Sequence, residues 1–146
     1  EALLAGLVDR VARRLRAGER IGRTFTLRLR FDDFTRATRS ATLRSSTATT
    51  ATWLETGRRL LAESWTLIEE RGCTLLGITI SGLTDGRSRQ LELPLFPDVV
   101  HENGLDAALD RVRDRFGSRA LTRAALVGRH TGLEMPTLPD PGPGGR

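Results

Sequence analysis

Three alternating stretches of the sequence carry one restricted chemistry. Thr24, Thr26, Arg28 and Arg30 share one parity, Thr38, Ser40, Thr42 and Arg44 share a second, and Thr79 and Ser81 a third. In extended chain each set falls on one side, because successive side chains of a strand point to opposite faces. None of these residues is acidic. Hydroxyl and guanidinium groups are donors that phosphate oxygens accept, so a face built from them suits the backbone of a nucleic acid. The rival reading is an ordinary solvated face in a protein whose only strong cation is Arg. Aromatic rings are missing from this side, since Phe25 and Phe31 lie on the opposite parity with Leu27 and Leu29. Their absence argues against base-stacking platforms and for contact with a duplex or its backbone.

Other residues with chemical potential form weaker patterns. Asp32 and Asp33 are adjacent and would face opposite sides of a strand, so a turn role for Asp33 beside Phe34 is expected rather than a shared metal. Glu69 and Glu70 fall near a helix end and read as solvated. His101 and His130 have no Cys or His partner at metal-ligand spacing. Cys73, the only cysteine, excludes an internal disulfide and reads as a small apolar residue at a strand start. No Ser, His and acid grouping is recognisable, and no catalytic or metal-binding residue is assigned. All 23 basic residues are Arg, which removes lysine nucleophiles, Schiff-base lysines and the phosphate-loop lysine.

The elements that must position these groups follow from periodicity. Over residues 2–17, Leu4, Leu7, Val8, Val11 and Leu15 recur at helical spacing, Arg13, Arg14 and Arg16 oppose the negative helix end, and Gly18 is the stop. Residues 24–31 alternate as a half-buried strand. A second strand is expected over 38–46, with Ala41 and Leu43 inward. Thr50 or Thr52 is expected to cap a long helix over 53–71, with Leu54, Leu61, Trp65 and Ile68 on its buried stripe and Gly72 at its end. A third strand over 74–83 puts Leu76, Ile78 and Ile80 on one face. Residues 84–89 read as an exposed linker, and the apolar run that follows is interrupted by Pro94 and Pro97, which bar a helix or a central strand. Residues 105–116 predict a short amphipathic helix with Leu105, Leu109, Val112 and Phe116 on its apolar stripe, and residues 119–127 a final strand. The Gly- and Pro-rich tail is expected to be disordered.

The chain has 146 residues, the size of one ordinary core, with 38% hydrophobic and 28% charged residues. No stretch reaches the roughly 18 to 20 consecutive apolar residues of a membrane span. The formal net charge of +5 is uneven: residues 1–50 carry +6, residues 51–100 carry −2 and residues 101–146 carry +1. A basic excess concentrated where the polar face lies points to a polyanionic partner. With Glu1 at the start instead of a basic, apolar leader, an intracellular protein is expected.

Residues 24–43, a strand ending in Arg-Phe, the turn Asp33-Phe34-Thr35, then Thr38-Arg39-Ser40-Ala41-Thr42-Leu43, resemble the start of the little finger domain of Y-family translesion DNA polymerases, of the bacterial DNA polymerase IV type. The likeness extends through the long helix and the strand at 75–83, about residues 3–96 in all. It implies an α+β fold, a four-stranded antiparallel sheet packed on two helices, followed by a C-terminal helix and strand extension. The domain limits expected are 1–83 for the little finger, 84–100 for a linker, 101–128 for the extension and 129–146 for the tail. The fourth strand is either a lead-in over 20–23 or a segment after residue 96.

The resemblance also implies function. Thr38, Arg39, Ser40 and Thr42 would hold the backbone of primer-template DNA, Arg28, Arg30, Arg36 and Arg44 would add charge, and Thr26, Thr79 and Ser81 complete the surface. Arg39 shares the parity of Ala41 and Leu43, so its role requires a bulge or a strand start at that point. Gln90-Leu91-Glu92-Leu93-Pro94-Leu95-Phe96 looks like the peptide by which such polymerases bind the sliding clamp: Gln90 hydrogen-bonds at one pocket, while Leu91, Leu93, Leu95 and Phe96 supply the apolar register. The alternative is that Leu93, Leu95 and Phe96 fold back on the domain's own core. No cofactor is expected in this stretch, and Mg2+ in the full polymerase, because nothing here matches the acidic palm motifs that hold two metal ions. A second reading makes the chain a catalytically inactive, clamp-tethered adaptor that recruits other repair proteins through residues 101–127. A bacterial cytoplasmic, nucleoid-associated location accompanies the family likeness.

Overall fold

Phe25, Leu27, Leu29 and Phe31, the apolar parity of the second segment, form the centre of the core, each 2% exposed or less. The computed structural model describes residues 1–86, 99–117 and 120–121. In chain order the elements are α1 (Ala2–Ala17), β1 (Arg20–Arg30), β2 (Arg36–Thr47), α2 (Thr50–Glu63), α3 (Trp65–Arg71), β3 (Leu75–Ser81), β4 (Thr84–Asp85) and α4 (Val99–Phe116). The fold is α+β: an open antiparallel sheet of four strands, ordered β2-β1-β3, with β4 paired to β1. α1 and α2 cover its apolar face. α1 contributes Leu4, Val8, Ala12 and Leu15, and α2 contributes Trp53, Leu60 and Leu61. Trp53 lies against Phe25 with ring centroids 6.0 Å apart.

β1 is long because it has two successive partners along one edge. Thr24–Arg30 pairs with β3, and Arg20–Ile21 pairs with β4. The fourth strand is therefore Thr84–Asp85, within the stretch that reads as a linker in the sequence, and residues 20–23 belong to β1 itself. Gly82 turns the chain between β3 and β4 at φ +65, and Gly22 lets β1 pass closely: a Cβ there would collide with Ile80 Cγ2.

The helix expected over 53–71 is two helices. Ser64 is buried, takes φ −100 and ψ 2, and its Oγ donates to Leu60 O at 2.9 Å. A hydroxyl bonded back to the preceding turn bends a helix, and the break rotates Trp65 off the buried stripe. Trp65 is 51% exposed, and its Nε1 donates to Glu69 Oε1 at 2.7 Å. Neither Thr50 nor Thr52 is the N-cap of α2. Thr49 holds that place without a side-chain cap bond, and the Thr50 N–H donates to Asp106 Oδ2 of α4 at 2.7 Å.

α4 starts earlier than its apolar pattern, at Val99, and docks through charge. Arg16 of α1 reaches Asp110 Oδ2 at 2.6 Å and Asp106 Oδ2 at 3.3 Å, and donates to Ala48 O and Thr50 Oγ1. Arg113 meets Asp9 at 2.8 Å, and Arg13 meets Asp114 at 2.7 Å. Leu105 and Phe116, expected on a buried stripe, are exposed instead. An amphipathic pattern shows that a helix has two faces; here the charged one finds the partners, because α1 and the α2 N-terminus offer complementary charge.

Two substitutions test this packing by chemical denaturation. Arg16→Ala removes the paired guanidinium from Asp110 and one of the donors of Asp106, and should lower the unfolding free energy by about 3 kcal/mol, the usual result of breaking a largely buried pair. Gly22→Ala should cost roughly 1 to 3 kcal/mol by forcing β1 off Ile80; wild-type stability in either variant contradicts the assigned contacts.

Candidate nucleic-acid interface

The paired register converts the alternating sequences into cross-strand rows on the face opposite the helices. Thr42, Thr24 and Ser81 form one row, Ser40, Thr26 and Thr79 the next, then Thr38, Arg28 and Gly77, and finally Arg36, Arg30 and Leu75. No acidic residue occupies these rows. The hydroxyl rows are tied internally, with Thr24 Oγ1 and Thr42 Oγ1 3.0 Å apart and Thr26 Oγ1 and Ser40 Oγ 3.0 Å apart. Each hydroxyl keeps further hydrogen-bonding capacity beyond that bond.

The other half of the face is cationic. Arg30 and Arg36 are directly opposed, and Arg28 lies one row away. Directly opposed like charges are unfavourable unless something compensates them, and among the described residues no carboxylate pairs with Arg28, Arg30, Arg36 or Arg44. An open depression of about 420 Å³ lies here, lined by Arg28, Arg30, Arg36, Thr38 and Leu75. The absence of a side chain at Gly77 leaves room beside Arg28.

Two site residues stand apart. Arg39 pairs with Leu27, and the register runs unbroken from Thr24/Thr42 to Arg30/Arg36, so the bulge its role requires is not there. It lies on the helix-side parity, exposed at the free edge of β2, with Nη1 donating to Thr38 O at 3.2 Å. Arg44 is exposed but falls in the stretch where the β1–β2 register shifts, between Thr24/Thr42 and Gly22/Thr47. Alternation from Thr42 therefore does not determine its side. Arg23 bridges that stretch by donating to Leu43 O at 3.0 Å.

The turn between β1 and β2 carries a residue the parity argument misses. Phe34 adopts φ +62 and is 76% exposed, with the Arg30 guanidinium 5.7 Å from its ring centroid. Positive φ is rare for a bulky residue, and the surrounding bonds enforce it. Phe34 N–H donates to Phe31 O, Phe31 N–H donates to Thr35 O, and both the N–H and the hydroxyl of Thr35 donate to Asp33 Oδ1. The Thr35 hydroxyl, the Thr35 amide and nearby Arg71 hold the Asp33 carboxyl below its ordinary range. A depressed carboxylate supports the fold above its ordinary pKa and loses that support as pH falls through the lowered value, so this contribution to the turn is present at neutral pH. The Asp-Phe-Thr signal was available in the sequence; the orientation of the ring was not.

Cys73 is exposed, not packed, with Sγ 3.5 Å from Leu75 O. The peptide Gln90, Leu91, Leu93, Leu95 and Phe96 lies outside the described residues, as does the tail over 129–146; of the strand expected over 119–127, only Ala120 and Leu121 are described. Among the described residues no helix is long and apolar enough to cross a membrane, and no group of three or more His, Cys, Asp or Glu side chains could hold a metal ion.

Comparison with known proteins places this geometry. Residues 1–93 match the impB/mucB/samB family C-terminal domain. The DNA polymerase IV of Desulfatibacillum aliphaticivorans is 39% identical over 125 residues, covering 83% of this chain and 31% of that protein. The DNA polymerase IV of Moorella thermoacetica is 36% identical over 127 residues, covering 87% and 31%, and that of Streptomyces coelicolor is 46% identical over 79 residues, covering 54% and 16%. The chain spans under a third of the length of these relatives. Because the matched stretch is the one that builds the sheet and its two covering helices, the chain belongs to the impB/mucB/samB family, as the C-terminal little finger domain of a Y-family polymerase.

Proposed function

We propose that this little finger domain serves a translesion polymerase of the DNA polymerase IV type, holding the backbone of primer-template DNA on its strand face and tethering the enzyme to the sliding clamp through residues 90–96. The observation that carries the DNA reading is the set of four cross-strand rows with hydroxyl and guanidinium groups and no acid. Donors without a carboxylate neighbour are available to phosphate oxygens, and contacts of that kind position a protein on DNA without reading its sequence. Thr26, Thr38, Ser40 and Thr42 supply hydroxyls, Arg28, Arg30 and Arg36 supply charge, and Thr79 and Ser81 extend the surface across β3. Arg44, exposed on the edge strand β2, adds charge, while Arg39, on the helix-side parity, reaches DNA only around that edge.

Catalysis is assigned elsewhere. The acidic palm and its Mg2+ belong, in this proposal, to the longer polymerase of which the relatives are examples. A nucleoid location follows from the same proposal. The clamp reading rests on the residues of the peptide: Gln90 as a hydrogen-bonding anchor, and Leu91, Leu93, Leu95 and Phe96 as apolar ones, with Pro94 limiting the entropy lost on docking.

Two measurements test the proposal. Titration of a primer-template at several salt concentrations should show weak, sequence-tolerant binding, and Arg28→Ala or Arg36→Ala should each reduce the salt slope by about 0.9; slopes equal to the parent's remove the surface assignment. For the clamp, Leu95→Ala with Phe96→Ala should abolish capture of the purified clamp, since anchors of this kind are worth about 2 kcal/mol or more each, and should leave the melting temperature unchanged. A fall in melting temperature would instead place those side chains in the domain's own core.

A further inference from the structure

We infer that Phe34 is a stacking contact for an unpaired nucleotide, at the boundary between duplex and single-stranded template. This rests on the DNA reading above and adds to it a preference that phosphate contacts cannot supply. The ring is the most exposed of the large hydrophobic side chains described. It is presented by a turn whose backbone is held by bonds from Phe31, Asp33 and Thr35 to one another, with Arg71 Nη1 3.4 Å from Thr35 Oγ1. A positive-φ phenylalanine carries a conformational cost that a glycine at the same place would not. The turn therefore keeps an apolar ring in water at a position where a smaller residue would fit the backbone better.

The surroundings indicate what the ring meets. Arg30 lies 5.7 Å from its centroid and belongs to the last row of the strand face, beside Arg36 and Leu75. A ring next to the Arg30 guanidinium, with Arg36 opposed across the hairpin and no carboxylate pairing with either among the described residues, combines a surface for a base with donors for the phosphate of the same nucleotide. Inside a duplex both faces of each base are already stacked, so an aromatic side chain gains a base only where the strand is unpaired. The depression lined by Arg28, Arg30, Arg36 and Leu75, about 420 Å³, lies at this end of the face. The strand face then grips the duplex rails while Phe34 takes the first base beyond them.

Binding of the 146-residue chain to two probes tests this: a blunt duplex, and the same duplex with a single-stranded thymidine 5′ overhang. Phe34→Gly and Phe34→Leu should each weaken binding of the overhang DNA by about five-fold or more, the scale of one lost base stack, and leave the blunt duplex within about two-fold of the parent. Phe34→Trp should retain the preference. Phe34→Gly should also melt no lower than the parent, because glycine relieves the positive φ. Equal losses on both probes, no loss on either, or retained preference in Phe34→Leu overturns the stacking role. If the parent binds neither probe, the strand-face reading itself fails.

Discussion

The register of β1 against both neighbours is the constraint on which the rest of the structure depends. Phe25, Leu27, Leu29 and Phe31 are all but inaccessible to solvent beneath α1 and α2, and a slip of one residue would exchange this entire set for Thr24, Thr26, Arg28 and Arg30. The cost of burying two guanidinium groups forbids that slip. The polar face is thus defined by what lies under it: the same hydrophobic burial that holds the sheet to its helices puts the hydroxyl and guanidinium rows opposite one another on the solvent side.

Charge is sorted with the same consistency. Carboxylates meet arginines on the helical side, where Asp9, Asp106, Asp110 and Asp114 pair with Arg113, Arg16 and Arg13. Among the described residues, the four cross-strand rows of the sheet receive none. A chain with 23 Arg and 18 acidic residues could have scattered its pairs evenly and left no field on either surface; segregation leaves Arg28, Arg30 and Arg36 on one face with no carboxylate partner among the described residues. Such a field acts over about a Debye length, roughly 8 to 10 Å at moderate salt, which suits an extended polyanion laid along the strands. α4 takes part in this division, since its acids occupy the arginines of α1 and supply the carboxylate at the start of α2.

The turn shows how local chemistry and tertiary position combine. Asp33 and Thr35 form a self-contained hydrogen-bonded unit, legible from sequence because short polar side chains bond to nearby backbone. What the unit displays depends on where the β1–β2 hairpin ends, and that places Phe34 beside Arg30 at the edge of the cationic rows.

Much of the fold was legible in the residues. Period-two alternation is a local property, so the inner parity of β1, the inner face of β3 and the acid-free outer positions followed from the sequence, and so did the helical stripe of Leu4, Val8 and Leu15. Distant partners were not legible. The two-residue strand at Thr84–Asp85 exists only because Arg20 and Ile21 are there to pair with it, and the break at Ser64 expresses a buried hydroxyl bonded to Leu60. The exposed apolar residues of α4 follow from Asp106, Asp110 and Arg113 meeting α1 and α2, contacts 56 to 104 residues away in sequence. Residue order sets which side chains share a face, since that needs only the geometry of one strand or helix; which face meets water, and which arginines keep a carboxylate, is decided by partners that only folding brings together.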